Sequence, residues 1–353
     1  MLNNKKILII GGTGSWGQEL TKQILEKYNP QQIIIYTRGE HKQVEMARKF
    51  NNPKLKFIIG DIRNKQNLKL ASFGVNYIFH LAALKHVPIC EKNPEETVRT
   101  NIQGTINAVE VAIENNIDKF VLVSTDKAVD PINVYGVSKS MAEKIVINAN
   151  RKATKTRFVC VRAGNVLGSN GSVVPLFKEQ ILKINKITLT DERMTRYLMK
   201  LERAISLIFK AVKDSHGGEI FVTKMPSIRI IDLAKVMINS LGTKETEIFK
   251  IGSRPGEKLH EVLVSRYESN RTVEYGNYFV ILPMININNL YGKWNKRFIN
   301  KEYNSKENVF LTNNEIKKAL LDEKWLNKKT VKELEKYSKE ELLNFFKNEG
   351  WLD

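Results

Sequence analysis

The chain has 353 residues, 42% hydrophobic and 27% charged, which suits a globular protein with a large core and two joined lobes. Lys and Arg outnumber the acids by 57 to 38, but the lysines of "KWNKRFINKEYNSKEN" and "NKKTVKELEKYSKEELL" alternate with Asn and Glu, so a solvated basic surface is expected and no nucleic-acid partner. No apolar run approaches a membrane span or has the form of a signal peptide, and Cys90 and Cys160 lack metal-ligand spacing; a soluble, cytoplasmic protein with reduced thiols and no metal is expected.

"KILII", residues 6–10, reads as a buried strand running directly into "GGTGSWG", after which Leu20, Ile24 and Leu25 mark one face of a helix. "QIIIYTR", "KLKFIIGDIR", "VNYIFHLAA", "KFVLVSTDKA" and "TRFVCVRAGNV" then alternate with helical stretches. Short apolar strands separated by helices predict an α/β fold, a Rossmann-like doubly wound parallel sheet with ligands at the carboxyl ends of its strands. This predicted nucleotide-binding domain covers residues 1–166. Beyond it the alternation loosens. "LTDERMTRYLMKLERAISLIFKAVKD" begins polar and becomes a helix, "GEIFVTK" reads as a strand, and "SIRIIDLAKVMINSLG" as an amphipathic helix before the turn-forming "GSRPGEK". We expect residues 194–224 to return to the first domain, a smaller α/β substrate-binding lobe over 167–285, and a helical tail over 286–353. In that tail, Thr312 with Glu315 and Ser338 with Glu341 are spaced as capping boxes.

Gly11, Gly14 and Gly17 lie between a strand and a helix, where glycine permits a tight turn and lets phosphate oxygens approach the helix amides. The second strand of such a fold normally ends in an acid that binds the ribose 2′-hydroxyl of NAD. Here Thr37 and Arg38 occupy that place, with Lys42 one helical turn on. Two cations favour a 2′-phosphate, so NADP is expected. Further along, "STDKAVDPINVYGVSK" holds Tyr135 and Lys139 four residues apart, with Asp126 and Lys127 just upstream. Two proton-transfer pairs side by side point to a reaction with more than one chemical step.

"GGTGSWG", "GDIR", "HLAALKHVP", "TNIQGT", "STDKA" and "YGVSK" occur in the order and spacing of extended short-chain dehydrogenase/reductases. Within that group, "STDKAVDPIN", "AGNVLGSNGSVVPLF", "TDERMTRYLM" and "RPGEKLHEVL" resemble UDP-N-acetylglucosamine 4,6-dehydratases of surface-polysaccharide pathways, over about residues 5–285. The three-residue spacing of the first two glycines departs from Gly-x-Gly-x-x-Gly but resembles the loop of this superfamily; one departure from the family is Trp16, where a smaller aromatic is usual. The resemblance implies that Tyr135 takes the sugar O4 proton and that Lys139 lowers the phenol pKa and binds the cofactor ribose. Lys127 would be the C5 base, and Asp126 the acid for the leaving C6 hydroxyl. A lysine at position 127 is the pattern of enzymes that invert C5. NADP would lie on Gly11, Thr13, Gly14, Ser15, Trp16, Gly17, Thr37, Arg38, Lys42, Asp61, Ile62, Ala82, Ala83, Lys85 and Asn101, with Tyr135 and Lys139. UDP-N-acetylglucosamine would meet Lys85, His86, Asn165, Arg196, Arg254, Glu257 and Lys258. Similar enzymes form dimers or hexamers, so a homo-oligomer is expected. Two other readings stay open: a UDP-sugar 4-epimerase, which needs the Tyr-Lys pair but no C5 base, and a non-catalytic NADP-binding regulatory protein.

Overall fold

The computed structural model describes all residues except 169–171, 253–255, 286, 288, 295–296 and 328–353. The chain divides into two compact units: residues 1–163, 201–224 and 262–303 in the first, the remainder in the second.

The first unit is built on a nine-stranded sheet. Its leading strands are β1 (Lys6–Ile10), β2 (Gln32–Thr37), β3 (Leu55–Ile59), β4 (Tyr77–His80), β5 (Lys119–Thr125) and β6 (Arg157–Ala163). In space they run β3-β2-β1-β4-β5-β6, all parallel, and Ile220–Thr223 adds a further parallel strand beside β6. An antiparallel hairpin, Thr272–Tyr275 with Tyr278–Ile281, closes that edge. The β-branched runs explain the strands. Ile7, Ile9, Ile33, Ile35, Phe79, Val121 and Val159 are all buried in one core, and each such side chain contributes about 1.5–3 kcal/mol.

The order reverses between β1 and β4, so the loops after these two strands flank one crevice at the carboxyl edge. Helix α1 (Ser15–Lys27) follows β1 and helix α2 (Glu40–Phe50) follows β2. A longer helix, Val134–Ala149, follows β5 after a short turn at Asp126–Ala128.

The second unit has its own core, centred on Phe177, Ile181, Leu233, Met237, Ile316 and Leu320. It contains a three-stranded sheet of Asn165–Val166, Thr195–Met199 and Ser227–Arg229, and a two-stranded one of Lys186–Leu189 with Glu247–Lys250. The boundaries differ from the sequence reading. The return to the large sheet begins at Leu201, because Thr195–Met199 pairs within the second unit. A second return, Val262–Tyr303, supplies the closing hairpin, where the sequence reading places the substrate lobe. The capping box of Thr312 and Glu315 opens the helix Asn313–Asp322; that of Ser338 and Glu341 lies outside the described residues. No described helix is long and apolar enough to cross a membrane.

Candidate active site

The glycine loop explains its own composition. Gly11 has φ +82°, and a Cβ there would lie 2.7 Å from the amide nitrogen of Ala82, in the segment that follows β4. A Cβ on Gly17 would lie 2.3 Å from the Gly12 carbonyl oxygen, so the first turn of α1 closes onto the loop only with glycine. A Cβ on Gly14 would meet nothing nearer than 3.6 Å. No side chain caps α1 at Gly14, which leaves its first amides for an anion. A backbone cradle with open space above its middle glycine fits a dinucleotide diphosphate. Thr13, Ser15 and Trp16 lie on the same loop and first turn.

At the end of β2, the Arg38 side chain is 55% exposed and its guanidinium lies 3.8 Å from Asp61. Lys42 is exposed one turn into α2. Asp61 is already engaged. It accepts hydrogen bonds from the Arg63 backbone at 2.9 Å and from the Arg63 guanidinium at 2.7–3.1 Å. Burial pushes the Asp61 carboxyl up, but these bonds and the charges of Arg63 and Arg38 hold it below the usual carboxylate range. Arg63 was not singled out from sequence; its signal is the Asp-x-Arg spacing in "GDIR". Ile62 between them is buried.

Beyond β4, Ala82 and Ala83 are half-buried, and Lys85 and His86 reach solvent. Desolvation still pulls both pKa values down, with the Lys85 charge adding to the effect on His86. Asn101 fixes this loop. Buried in a π-helical turn, it exchanges hydrogen bonds with the Leu84 backbone at 2.8 and 2.9 Å and donates to Ser138 at 2.9 Å. Ser138 in turn donates to the Tyr135 carbonyl at 2.7 Å. Asn101 therefore ties the Lys85 loop to the helix carrying Tyr135.

The Asp126–Lys127 and Tyr135–Lys139 segments pack together. Asn133 caps the helix Val134–Ala149 by accepting from the Gly136 amide at 2.7 Å. A Cβ on Gly136 would lie 2.3 Å from the Lys127 carbonyl oxygen, so this glycine lets the helix start pack directly on the Asp126–Ala128 turn. Asp126, 1% exposed, accepts from Thr125 Oγ1 at 2.9 Å and from Lys127 Nζ at 3.1 Å. Tyr135 is buried, and burial pushes its phenol up to about 12; the Lys127 charge and a hydrogen bond with Thr125 pull the other way, while Asp126 and Cys90 add to the rise. The cation opposing that rise is thus Lys127. Lys139 lies deeper, donating to the Val123 carbonyl at 2.7 Å. Burial lowers its pKa to about 8, against the influence of Glu143 and Cys160. Thr125, whose hydroxyl donates to Asp126, was missed from sequence, since a Ser-Thr dipeptide at a strand end carries no distinctive signal.

Behind Lys139 lies a buried ion network. Arg162, 2% exposed, donates to Glu143 at 3.0 and 2.6 Å, to Glu268 at 2.9 and 3.1 Å, and to the Leu263 carbonyl at 2.9 Å.

Asn165, Arg196, Glu257 and Lys258 belong to the second unit. There Asn165 and Arg196 line one small crevice. Arg196 is buried, donating to the Thr195 and Leu259 carbonyls at 2.8 and 3.2 Å with Glu261 at 3.6 Å. Glu257 and Lys258 are half-buried. Arg254 lies outside the described residues. Among the described residues, no group of His, Cys, Asp and Glu is placed to hold a metal ion.

Comparison with known proteins bears on this arrangement. A Campylobacter jejuni protein named UDP-N-acetylglucosamine 4,6-dehydratase (inverting) is 46% identical over 288 residues, 81% of this chain and 85% of that one. A Rickettsia felis protein named UDP-glucose 4-epimerase is 40% identical over 332 residues, 91% and 97% of the two chains. The X-ray structure of Pen from Bacillus thuringiensis superposes with a TM-score of 0.87 at 36% identity, covering 93% of this chain and 100% of that one. The family model described as polysaccharide biosynthesis protein matches residues 7–283. With most of its length matched, the glycine loop and the Asp126–Lys127 and Tyr135–Lys139 pairs included, this chain belongs to the polysaccharide biosynthesis protein family.

Proposed function

We propose that this chain is a nucleotide-sugar 4,6-dehydratase that converts UDP-N-acetylglucosamine to a UDP-4-keto-6-deoxy-hexosamine with inversion at C5, using NADP, for glycan synthesis in the cytoplasm. The observation that carries the reading is the packing of the Asp126–Lys127 turn against the start of the Tyr135–Lys139 helix through Gly136. One pair serves oxidation at C4; the other serves loss of water across C5 and C6. Bound NADP would accept the C4 hydride and return it to C6.

The residues divide the remaining work. Tyr135 takes the O4 proton, helped by the charge of Lys139 in its assigned ribose-binding role, while Lys127 is held as the neutral amine that the C5 step needs. Lys127 then removes the C5 proton, which the 4-keto group has acidified. Asp126, held against Lys127, protonates the departing C6 hydroxyl. Lys127 returns its proton to the opposite face of C5. Lys85 and His86 are assigned to the substrate in the first unit. Asn165, Arg196, Arg254, Glu257 and Lys258 are assigned to it by the family resemblance, arginine suiting a diphosphate.

The choice of NADP rests on Arg38 and Lys42, two exposed cations at the end of β2. Arg38→Glu is expected to reverse the preference for NADP over NAD in a binding titration; equal affinities in the unmodified protein would overturn it. A homo-oligomer is also proposed. Val137 and Met141 are exposed one turn apart on the helix Val134–Ala149, and Ile89, Val98 and Ile132 are exposed as well, a pattern that favours a covering partner. Light scattering that finds a monomer would remove that part.

Mass spectrometry of the product after incubation with UDP-N-acetylglucosamine tests the function. Loss of one water supports the dehydratase. An unchanged mass with altered C4 configuration points to the epimerase named among the relatives, and no turnover at all points to a binding protein.

A further inference from the structure

The loop after β3 sets an electrostatic problem for a cofactor with a 2′-phosphate. Strands β2 and β3 run parallel with Thr37 beside Ile59, so Arg38 and Asp61 leave the sheet side by side at its carboxyl edge. The Arg38 guanidinium lies 3.8 Å from Asp61 Oδ2. That gap is well inside the Debye length of about 10 Å at 0.1 M salt, so the carboxylate is not screened from its neighbour. An uncompensated Asp61 would hold Arg38 for itself and repel a phosphate brought to it. Asp61 is compensated by Arg63. Its oxygen Oδ1 accepts from the Arg63 backbone at 2.9 Å and from Nε at 3.1 Å, and Oδ2 accepts from Nε at 3.0 Å and Nη2 at 2.7 Å. Arg63 Nη1 donates to Glu96 at 2.7 Å, and Glu96 accepts in turn from Arg99 at 2.9 Å. Cations and anions thus alternate along Arg38, Asp61, Arg63, Glu96 and Arg99.

We infer that Arg63 helps to set the choice of NADP over NAD, acting through Asp61. Its planar fork engages both carboxylate oxygens, offsets their charge, and leaves Arg38 for the 2′-phosphate. Arg63 is therefore a positioning residue. Support of the loop does not account for this pairing. The backbone there is held by other groups: the Tyr36 hydroxyl donates to the Asp61 carbonyl at 3.0 Å, and Asn107 donates to the Ile62 and Arg63 carbonyls at 3.0 and 3.1 Å. The Arg63 and Asp61 side chains are also 36% and 26% exposed, a setting in which an ion pair adds little stability. What the pair changes is the charge beside Arg38. NAD has a neutral 2′-hydroxyl in place of the phosphate and should feel that charge far less.

The inference rests on the NADP reading, and its test separates the two. Calorimetric titration of the full-length protein, freed of nucleotide, with NADP and with NAD gives the ratio of the two affinities without any turnover. Arg63→Gln should weaken NADP binding roughly tenfold or more and NAD binding by less than about threefold. Adding Asp61→Asn to that variant should restore the ratio, because it removes the charge that Arg63 offsets. Any contact of Asp61 with the adenine is common to both cofactors and cancels in the ratio. A loss shared equally by NADP and NAD would make Arg63 a support for the loop and overturn the inference. So would an unchanged ratio. A lowered ratio that Asp61→Asn fails to restore would overturn it too, since Arg63 would then act on the phosphate itself. Equal affinities for the two cofactors in the unmodified protein would mean that the NADP reading itself has failed.

Discussion

Glu143→Gln tests how the core behind the site supports its chemistry. Glu143 lies one turn after Lys139 on the same helix and gives both oxygens to the buried Arg162. Glutamine keeps one acceptor but turns an amide donor towards the guanidinium, leaving Glu268 as the counter-charge. Removing one partner of a buried pair costs about 3–5 kcal/mol, and the surviving Glu268 puts this case at about 3 kcal/mol. Equilibrium unfolding in urea, with a native-baseline control for folding, reads that loss. A second readout is catalytic. Glu143 raises the Lys139 pKa against burial, which brings it to about 8. Lys139 acts as a cation, so its contribution is present below its pKa and lost as pH rises through it. Without Glu143 that pKa falls further, and the alkaline limb of the pH–rate profile should move to lower pH. Glu268→Gln should destabilise the same network while leaving the limb in place, since Glu268 is not among the groups acting on Lys139. A Glu143→Gln enzyme that loses less than about 1 kcal/mol and keeps its alkaline limb would refute the reasoning.

Three further substitutions address the site itself. Tyr135→Phe should fold normally and lose about 10²–10⁴ in turnover, as removal of a general base does; near-normal turnover would place the base elsewhere. Lys127→Ala should separate the steps, with reduced-nicotinamide absorbance rising on substrate addition while no dehydrated sugar forms; dehydration at an ordinary rate would make Lys127 structural. Gly17→Ala places a methyl 2.3 Å from the Gly12 oxygen and should weaken dinucleotide binding at least tenfold, followed through Trp16 fluorescence, whereas unchanged affinity would mean that the loop yields.

Much of the first unit was legible because its strands are apolar throughout. Ile7, Ile33 and Phe79 need no partner information to be read as buried. The strand Thr195–Met199 was not, because it begins with Thr and Arg yet is wholly buried. Its polar side chains are satisfied there, Thr195 by His260 and Ser305 and Arg196 by carbonyls and Glu261. The interleaving of the units escaped for a related reason. The hairpin at Thr272–Ile281 reaches the large sheet only through antiparallel pairing with Ile220–Thr223, and such non-local pairing leaves no periodicity in the sequence. Within the site, the motif spacing located Asp126, Lys127, Tyr135 and Lys139. The neighbours that link them do not advertise themselves. Asn101, Thr125 and Arg63 are ordinary polar residues until the fold shows what each one touches.

The central claim is that one active site removes hydrogen from C4 and delivers it to C6. UDP-N-acetylglucosamine carrying deuterium at C4, incubated with the protein and NADP, tests this directly. The account predicts a 4-keto product with that deuterium in its C6 methyl group, and no net change in the cofactor. Deuterium that remains at C4 in an epimerised sugar of unchanged mass would contradict it.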